Sequence, residues 1–332
     1  MTESKFEPRP SVLVGDTADV YLHRALAVFR AESLNPLVTV EVHSAADGVC
    51  CGIEEVKALL AKVLPETDRE VWLLDEGEGV SANEVAVRIK AHYSAFALYE
   101  TAICGTLSQS TGWATAARQC VDAAEGIPVV CFGARYIHPN SAALMDYAAV
   151  IGGCVSCSTV LGAKLAGVTP HGTLPHSLVL VMGDTVKAMQ SFDKHMPQDV
   201  PRLAVVDTLV DEVNGSVTLA KAMREKLRGV RLDAPSGQRA LTPDLVKELR
   251  ARLDIGGFEH VEIFVSGALD PVTIQGYVKS GAPVNGFGVG RYIATAPPIP
   301  FRSDIYEIEG KPAARRGKIP GVVPSKRLER FL

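Results

Sequence analysis

The chain has 332 residues, with 34 Lys and Arg against 38 Asp and Glu, a net charge of -4 and 47% hydrophobic residues. That balance excludes a disordered polar chain, a collagen-like repeat and a small disulfide-stapled scaffold, and allows one large α/β domain or two of ordinary size. The slight acidity, with no basic run before Arg315, Arg316 and Lys318, argues against nucleic acid as the main partner and still allows a pocket for a small anion.

The first ten residues carry Glu3, Lys5, Glu7 and Arg9, so they lack the apolar run of a signal peptide. Uncharged stretches at 147–163 and 165–183 are too rich in Gly, Ser, Thr, Cys, Pro and His to span a bilayer. The expectation is a cytoplasmic protein with no membrane partner. Seven cysteines, an odd number, fit reduced thiols. Cys154 and Cys157 form a C-x-x-C without a second pair or a ligand-spaced histidine, so packing is read there rather than zinc or redox chemistry, and no metal-ligating residue is assigned.

Along the first hundred residues, 38–43 alternates apolar with polar side chains as a half-buried strand does. Residues 54–63 and 91–102 carry helical spacing, and 71–74 and 85–89 read as strands. This looks like a separate α+β layer. From residue 127 a different rhythm begins, with short Val- and Ile-rich runs at 127–132, 148–152, 168–172, 203–207, 230–233, 261–266 and 284–289. An amphipathic or Ala-rich stretch follows each, the pattern of βα units whose buried parallel strands almost close a barrel. After residue 299 come an extended segment at 304–309, a turn at Gly310-Lys311-Pro312 and the basic cluster, a tail expected to pack back on the first layer. The predicted organisation is a discontinuous sandwich domain of 1–110 and 295–332 around a barrel domain of 111–294.

Barrels carry their chemistry at the carboxyl ends of the strands. Here those ends are polar, whereas an opposite end such as 124–128 reads as an ordinary turn. Ser266-Gly267-Ala268 and Gly288-Val289-Gly290 end the last two strands, where exposed backbone N–H groups suit a sugar phosphate; tight strand-to-helix turns are the plain alternative. Asp207 and Asp233 end neighbouring strands and suit ribose hydroxyls. Arg231, two residues before Asp233, projects to the same side, either toward a phosphorylated pentose or in a structural ion pair. Phe132 either stacks on a planar ring or fills core. His176 is either an acid, base or nucleophile or a hydrogen-bonded rim histidine.

In order and spacing, these segments resemble nicotinate phosphoribosyltransferase, especially its short archaeal-type branch. They are Phe132-Gly-Ala-Arg135-x-x-His138-Pro139, Gly172-Thr173-x-x-His176-Ser177, Asp207-Thr208, Arg231-Leu-Asp233, Ser266-Gly267-Ala-Leu-Asp270, Gly288-Val-Gly290, the glycine- and lysine-rich 310–318, and the early Asp19-Val20-Tyr21-Leu22-x-Arg24. The likeness runs over residues 16–321. It implies a type II phosphoribosyltransferase, with an incomplete central α/β barrel and an open-faced α/β sandwich. The implied reaction joins nicotinate to phosphoribosyl pyrophosphate, giving nicotinate mononucleotide and pyrophosphate for NAD salvage.

The resemblance further implies that Phe132 stacks on the pyridine ring, with Tyr21 of a neighbouring subunit on its other face. Arg135 meets the ring substituent or the phosphoribosyl group, and His138, Lys164, Thr173, Ser177, Arg231 and Arg239 join the substrate-binding set. Asp207 and Asp233 face ribose and Mg2+-bound pyrophosphate, and the two glycine loops hold the 5'-phosphate. His176 matches the histidine phosphorylated from ATP. The implied cofactors are thus Mg2+ and ATP, and the implied assembly is a homodimer or a set of dimers sharing active sites.

Tyr136, Ala268 and Arg291 depart from the pattern of the family the chain resembles, and a cysteine-rich metal knuckle is not expected. Residues 151–160 hold no carboxylate, whereas the resemblance implies an acidic residue nearby in amide-using relatives, and this favours the acid over nicotinamide. The alternatives are quinolinate phosphoribosyltransferase, which needs more cations around the ring than Arg135, His138 and Lys164, and a non-catalytic phosphoribosyl-ligand-binding protein of the same fold.

Overall fold

Alternation along the strand Leu37–Ser44 sends Val38, Val40 and Val42 to one face of a sheet and Thr39, Glu41 and His43 to the other. The computed structural model, which describes residues 5–234 and 241–332, divides into two units, Met1–Thr115 with Ala296–Leu332 and Ala116–Thr295. In the first unit a six-stranded sheet runs in the order Lys311–Pro312, Phe301–Ile308, Leu37–Ser44, Val85–His92, Glu70–Leu73, Glu329–Arg330. Its pairings are antiparallel. The valine face packs against Ile53, Val56, Leu59 and Leu60 of the helix Ile53–Val63 and against Ile103 and Leu107 of the helix Glu100–Ala123.

The polar face is also buried in part. Glu41 is fully covered and accepts from Arg88 Nε at 2.7 Å. Arg88 in turn donates to the backbone oxygen of Val323, tying the returning tail to this face. The tail joins the sheet through Phe301–Ile308, which pairs with Leu37–Ser44 from Ser44↔Phe301 to Val38↔Ile308. Glu309 and Gly310 both take positive φ, closing the tight hairpin to Lys311–Pro312.

The second unit holds a parallel sheet of six strands in the order Ser156–Cys157, Val129–Cys131, Gly286–Val289, Glu262–Gly267, Gly229–Ala234, Leu203–Val205. Between the two edge strands lies a segment that forms no strand but bonds to both. His171 N donates to Cys157 O at 2.8 Å, and Leu174 N donates to Leu203 O at 2.9 Å. Ser156 Oγ donates to Thr169 O at 2.6 Å on the first of these edges. The parallel sheet is therefore curled into an incomplete barrel, and the molecule is an α/β protein of barrel plus open-faced antiparallel sandwich.

Three local expectations are corrected. Residues 148–152 are not a strand but the last turn of the helix Pro139–Ile151 with its C-cap Gly152; the strand is Ser156–Cys157. A short apolar run that is Ala-rich reads equally as buried helix or buried strand, and here Pro139 at the first helical position settles it. Residues 168–172 form no strand, because Pro170 lacks an N–H to give to a ladder. Helical geometry expected from 91 begins at Tyr93, after the strand Val85–His92, and passes through two short turns before Glu100–Ala123.

The seven cysteines are free, and Cys154 and Cys157 are both buried. Burial and the neighbouring Asp146 push the Cys157 thiol up to about 12, which makes it a poor nucleophile. Among the described residues no helix is long and apolar enough to cross a membrane.

Candidate active site

Parallel register stacks side chains of matching parity on the inner side of the curled sheet. Phe264 stands level with Arg231 and Gly286, and Ser266 stands level with Asp233 and Gly288. Phe132 follows the strand Val129–Cys131, and its backbone N donates to Val289 O at 2.7 Å. The carboxyl edge thus gathers residues far apart in sequence.

Asp233 is the hub. Its Oδ2 accepts from Arg231 Nη2 at 3.1 Å and lies 3.3 Å from His176 Nε2, while Ser266 Oγ donates to its Oδ1 at 3.0 Å. Its backbone N donates to Asp207 Oδ2 at 2.9 Å. His176 Nδ1 meets Thr208 Oγ1 at 2.8 Å and lies 3.9 Å from Asp207 Oδ1. The two carboxyls are pushed apart. Hydrogen bonding from His176, with Arg231 and Ser266 assisting, holds Asp233 below the usual carboxylate range. Burial raises Asp207, whose Oδ1 is buried with no hydrogen-bond partner.

Beneath this edge lies a small cavity, lined by the polar residues His171, Thr173, Arg231 and Ser266 and by Phe132 and Phe264 among others. The Arg231 guanidinium carbon lies 5.7 Å from the centre of the Phe132 ring. Gly288 makes room for that ring, since a Cβ there would come 2.5 Å from Phe132 Cε2. Arg231 Nε is buried without a hydrogen-bond partner. Burial, with the Arg231 charge assisting, holds the His171 imidazole below its ordinary pKa.

The remaining expected residues lie farther out. Arg135 is exposed on the turn Ala134–Tyr136, and Lys164 is exposed on the helix Val160–Ala166. His138 spends its Nδ1 accepting from Asn140 N at 3.1 Å as the N-cap of the helix Pro139–Ile151. Ser177 is exposed in the first turn of the helix His176–Met182. Gly267 has φ +116°, Ala268 is exposed, and Gly288, Val289 and Gly290 are buried. Tyr21 belongs to the first unit, 63% exposed on the helix Val20–Ala31. Arg239 lies outside the described residues.

Sequence reasoning did not single out Thr208 as the partner of His176, nor His171 in the cavity. Thr208 is signalled by its position beside Asp207. His171 sits in the segment that makes no strand, where parity gives no guide to direction.

An incomplete parallel barrel with carboxylates, arginine and glycine loops on its carboxyl edge, joined to an open-faced sandwich, is the architecture of a type II phosphoribosyltransferase. The model of the quinolinate phosphoribosyl transferase N-terminal domain matches residues 19–111, and that of the C-terminal domain matches residues 113–303. The chain belongs to the quinolinate phosphoribosyl transferase family. A solved structure of nicotinate-nucleotide pyrophosphorylase from Pyrococcus furiosus is 39% identical and superposes with a TM-score of 0.88, covering 97% of this chain and 82% of that one. The nicotinate phosphoribosyltransferase of Mycobacterium tuberculosis is 34% identical over 254 residues, 75% of this chain and 53% of that protein. The nicotinate phosphoribosyltransferase of Bacillus subtilis is 30% identical over 240 residues, 71% of this chain and 48% of that protein. The chain spans about half the length of these curated relatives.

Proposed function

We propose that this protein transfers the phosphoribosyl group of phosphoribosyl pyrophosphate to nicotinate, giving nicotinate mononucleotide and pyrophosphate. The observation that carries the reading is the juxtaposition of Phe132 and Arg231, which line one small cavity, with the Asp207–Asp233–His176 cluster. In this reading the pyridine ring lies against Phe132, with the sugar and phosphates at the open edge. Among the described residues Arg231 is the permanent cation lining the cavity, which suits a ring carboxylate.

The pyridine nitrogen carries a free lone pair, so no base is needed to make the nucleophile. The barrier is loss of pyrophosphate from the anomeric carbon as positive charge grows on the ribose. In this reading Asp233, held ionised by its three donors, and Asp207 stabilise that charge and bind the ribose hydroxyls. The Ser266-Gly267-Ala268 and Gly288-Val289-Gly290 loops receive the 5'-phosphate.

The carboxylates also suit Mg2+, a hard cation that takes one or two protein carboxylates plus substrate phosphate oxygens, and the unpartnered Asp207 Oδ1 is a free ligand for it. Asp207 and Asp233 would hold the ion, which supplies charge neutralisation for the leaving pyrophosphate. His176, with 38% of its side chain exposed, is the phosphoryl acceptor from ATP. A phosphate on its ring would add charge and strong acceptors beside Thr208 and order the loop. Tyr21 closes the ring site of a neighbouring subunit in a homodimer.

The test is one assay with nicotinate, nicotinamide or quinolinate, each with and without ATP, at several Mg2+ concentrations. Nicotinate mononucleotide should form from nicotinate, faster with ATP, and His176→Ala should lose the ATP stimulation while keeping slow transfer. Product only from quinolinate, or none at all, overturns the reading; unchanged ATP stimulation in His176→Ala removes the phosphohistidine.

A further inference from the structure

His171 is a titratable group of the cavity that the reaction as described leaves without a task. Its backbone is pinned, N to Cys157 O at 2.8 Å, in the segment that bonds to both edges of the sheet. Its imidazole lies near two aromatic rings, with centroids 6.4 Å from Phe132 at 33° and 6.4 Å from Phe264 at 36°. Its ring nitrogens hydrogen-bond to none of the described residues, although the side chain is half-buried. Arg231 lines the same cavity with its buried Nε unpartnered. Two unspent donors lining one small cavity call for an acceptor on the ligand.

We infer that His171 is a specificity residue whose imidazole N–H, beside the Arg231 guanidinium, receives the ring carboxylate of the pyridine acid. This rests on the proposed nicotinate reading and goes further by assigning recognition of the ring substituent to a residue on the segment between the two edge strands. Burial and the Arg231 charge keep the free imidazole neutral, so it offers one donor without adding a second fixed charge. A hydrogen bond from a neutral donor to a carboxylate in a half-buried slot is stronger than one to a neutral oxygen. His171 therefore contributes more to binding the acid than the amide.

The experiment is equilibrium dialysis of radiolabelled nicotinate and, separately, phosphoribosyl pyrophosphate with the full chain and with His171→Phe and His171→Gln. Phe keeps the aromatic stack and removes the donor; Gln restores a donor. His171→Phe should weaken nicotinate binding roughly ten- to hundredfold. His171→Gln should recover most of that loss, and phosphoribosyl pyrophosphate binding should hold within about twofold in both. Nicotinate binding within about twofold of the unaltered chain in His171→Phe, or equal loss for both ligands, overturns the inference. If the unaltered chain binds nicotinate without turning it over, the proposed activity fails while the two variants still decide the role of His171. If it does not bind nicotinate, both fail.

Discussion

At Gly288 a missing side chain shapes the site. A Cβ there would meet Phe132 Cε2 at 2.5 Å and Ser266 Cβ at 2.9 Å, both in the cavity wall, so neither neighbour can yield without moving the ring or the hub's hydroxyl donor. Gly288→Ala should therefore raise the KM for the ring substrate about tenfold, with a stability loss of about 1–3 kcal/mol, read by steady-state kinetics and urea unfolding. An unchanged KM would mean that the Phe132 ring is not part of the ring site. Among the residues named from sequence, Asp207, Arg231, Ser266 and His176 all come within hydrogen-bonding reach of Asp233, because the parallel strands and the segment between the two sheet edges bring their carboxyl ends to one edge. Arg135 and Lys164 stand exposed and His138 serves as a helix cap, and motif spacing carries no information on such side-chain direction.

Between elements, buried charge decides what holds. Glu41 has no exposed area and leans on Arg88, which reaches on to the tail at Val323. Arg88→Ala would strand a buried carboxylate and release the tail, and should cost about 3–5 kcal/mol in chemical unfolding. A loss under about 1 kcal/mol would show that the pair is dispensable.

In the other unit, Asp146 of the helix Pro139–Ile151 accepts from Thr159 N at 2.9 Å just before the helix Val160–Ala166. Burial raises its pKa. The folded carboxyl then keeps its proton where the unfolded one has lost it, so its contribution to stability falls as pH rises from the ordinary carboxylate range through the raised folded value. Asp146→Asn should flatten that part of the stability profile in urea titrations across pH, and an unaltered slope would refute the assignment. The same helix shows where the sequence was ambiguous. Its last turn, Ala148 to Ile151, is apolar on every side, and periodicity cannot separate such a turn from a buried strand.

Across the whole chain, the two ends meet in one sheet. The strand Phe301–Ile308 pairs with Leu37–Ser44, and Glu329–Arg330 pairs with Glu70–Leu73. Removing residues 296–332 would leave Leu37–Ser44 as a bare edge beside an uncovered Glu41, and the sandwich should lose its cooperative unfolding transition and become protease-sensitive. Limited proteolysis and circular dichroism of the truncated chain check this; a sharp transition with intact resistance would show that the tail is an accessory.

By itself the sequence determined the α/β class, the register-setting alternation in Leu37–Ser44, the returning tail and the order of the polar strand ends. Those features follow from local periodicity and from residue types that suit few backbone positions. Only the tertiary structure decided that residues 168–174 bridge the two sheet edges without forming a strand, that Thr208 meets His176, and that His171 enters the cavity. Those outcomes depend on backbone hydrogen bonds between segments distant in sequence, and a linear pattern does not encode which distant partner a loop residue will face.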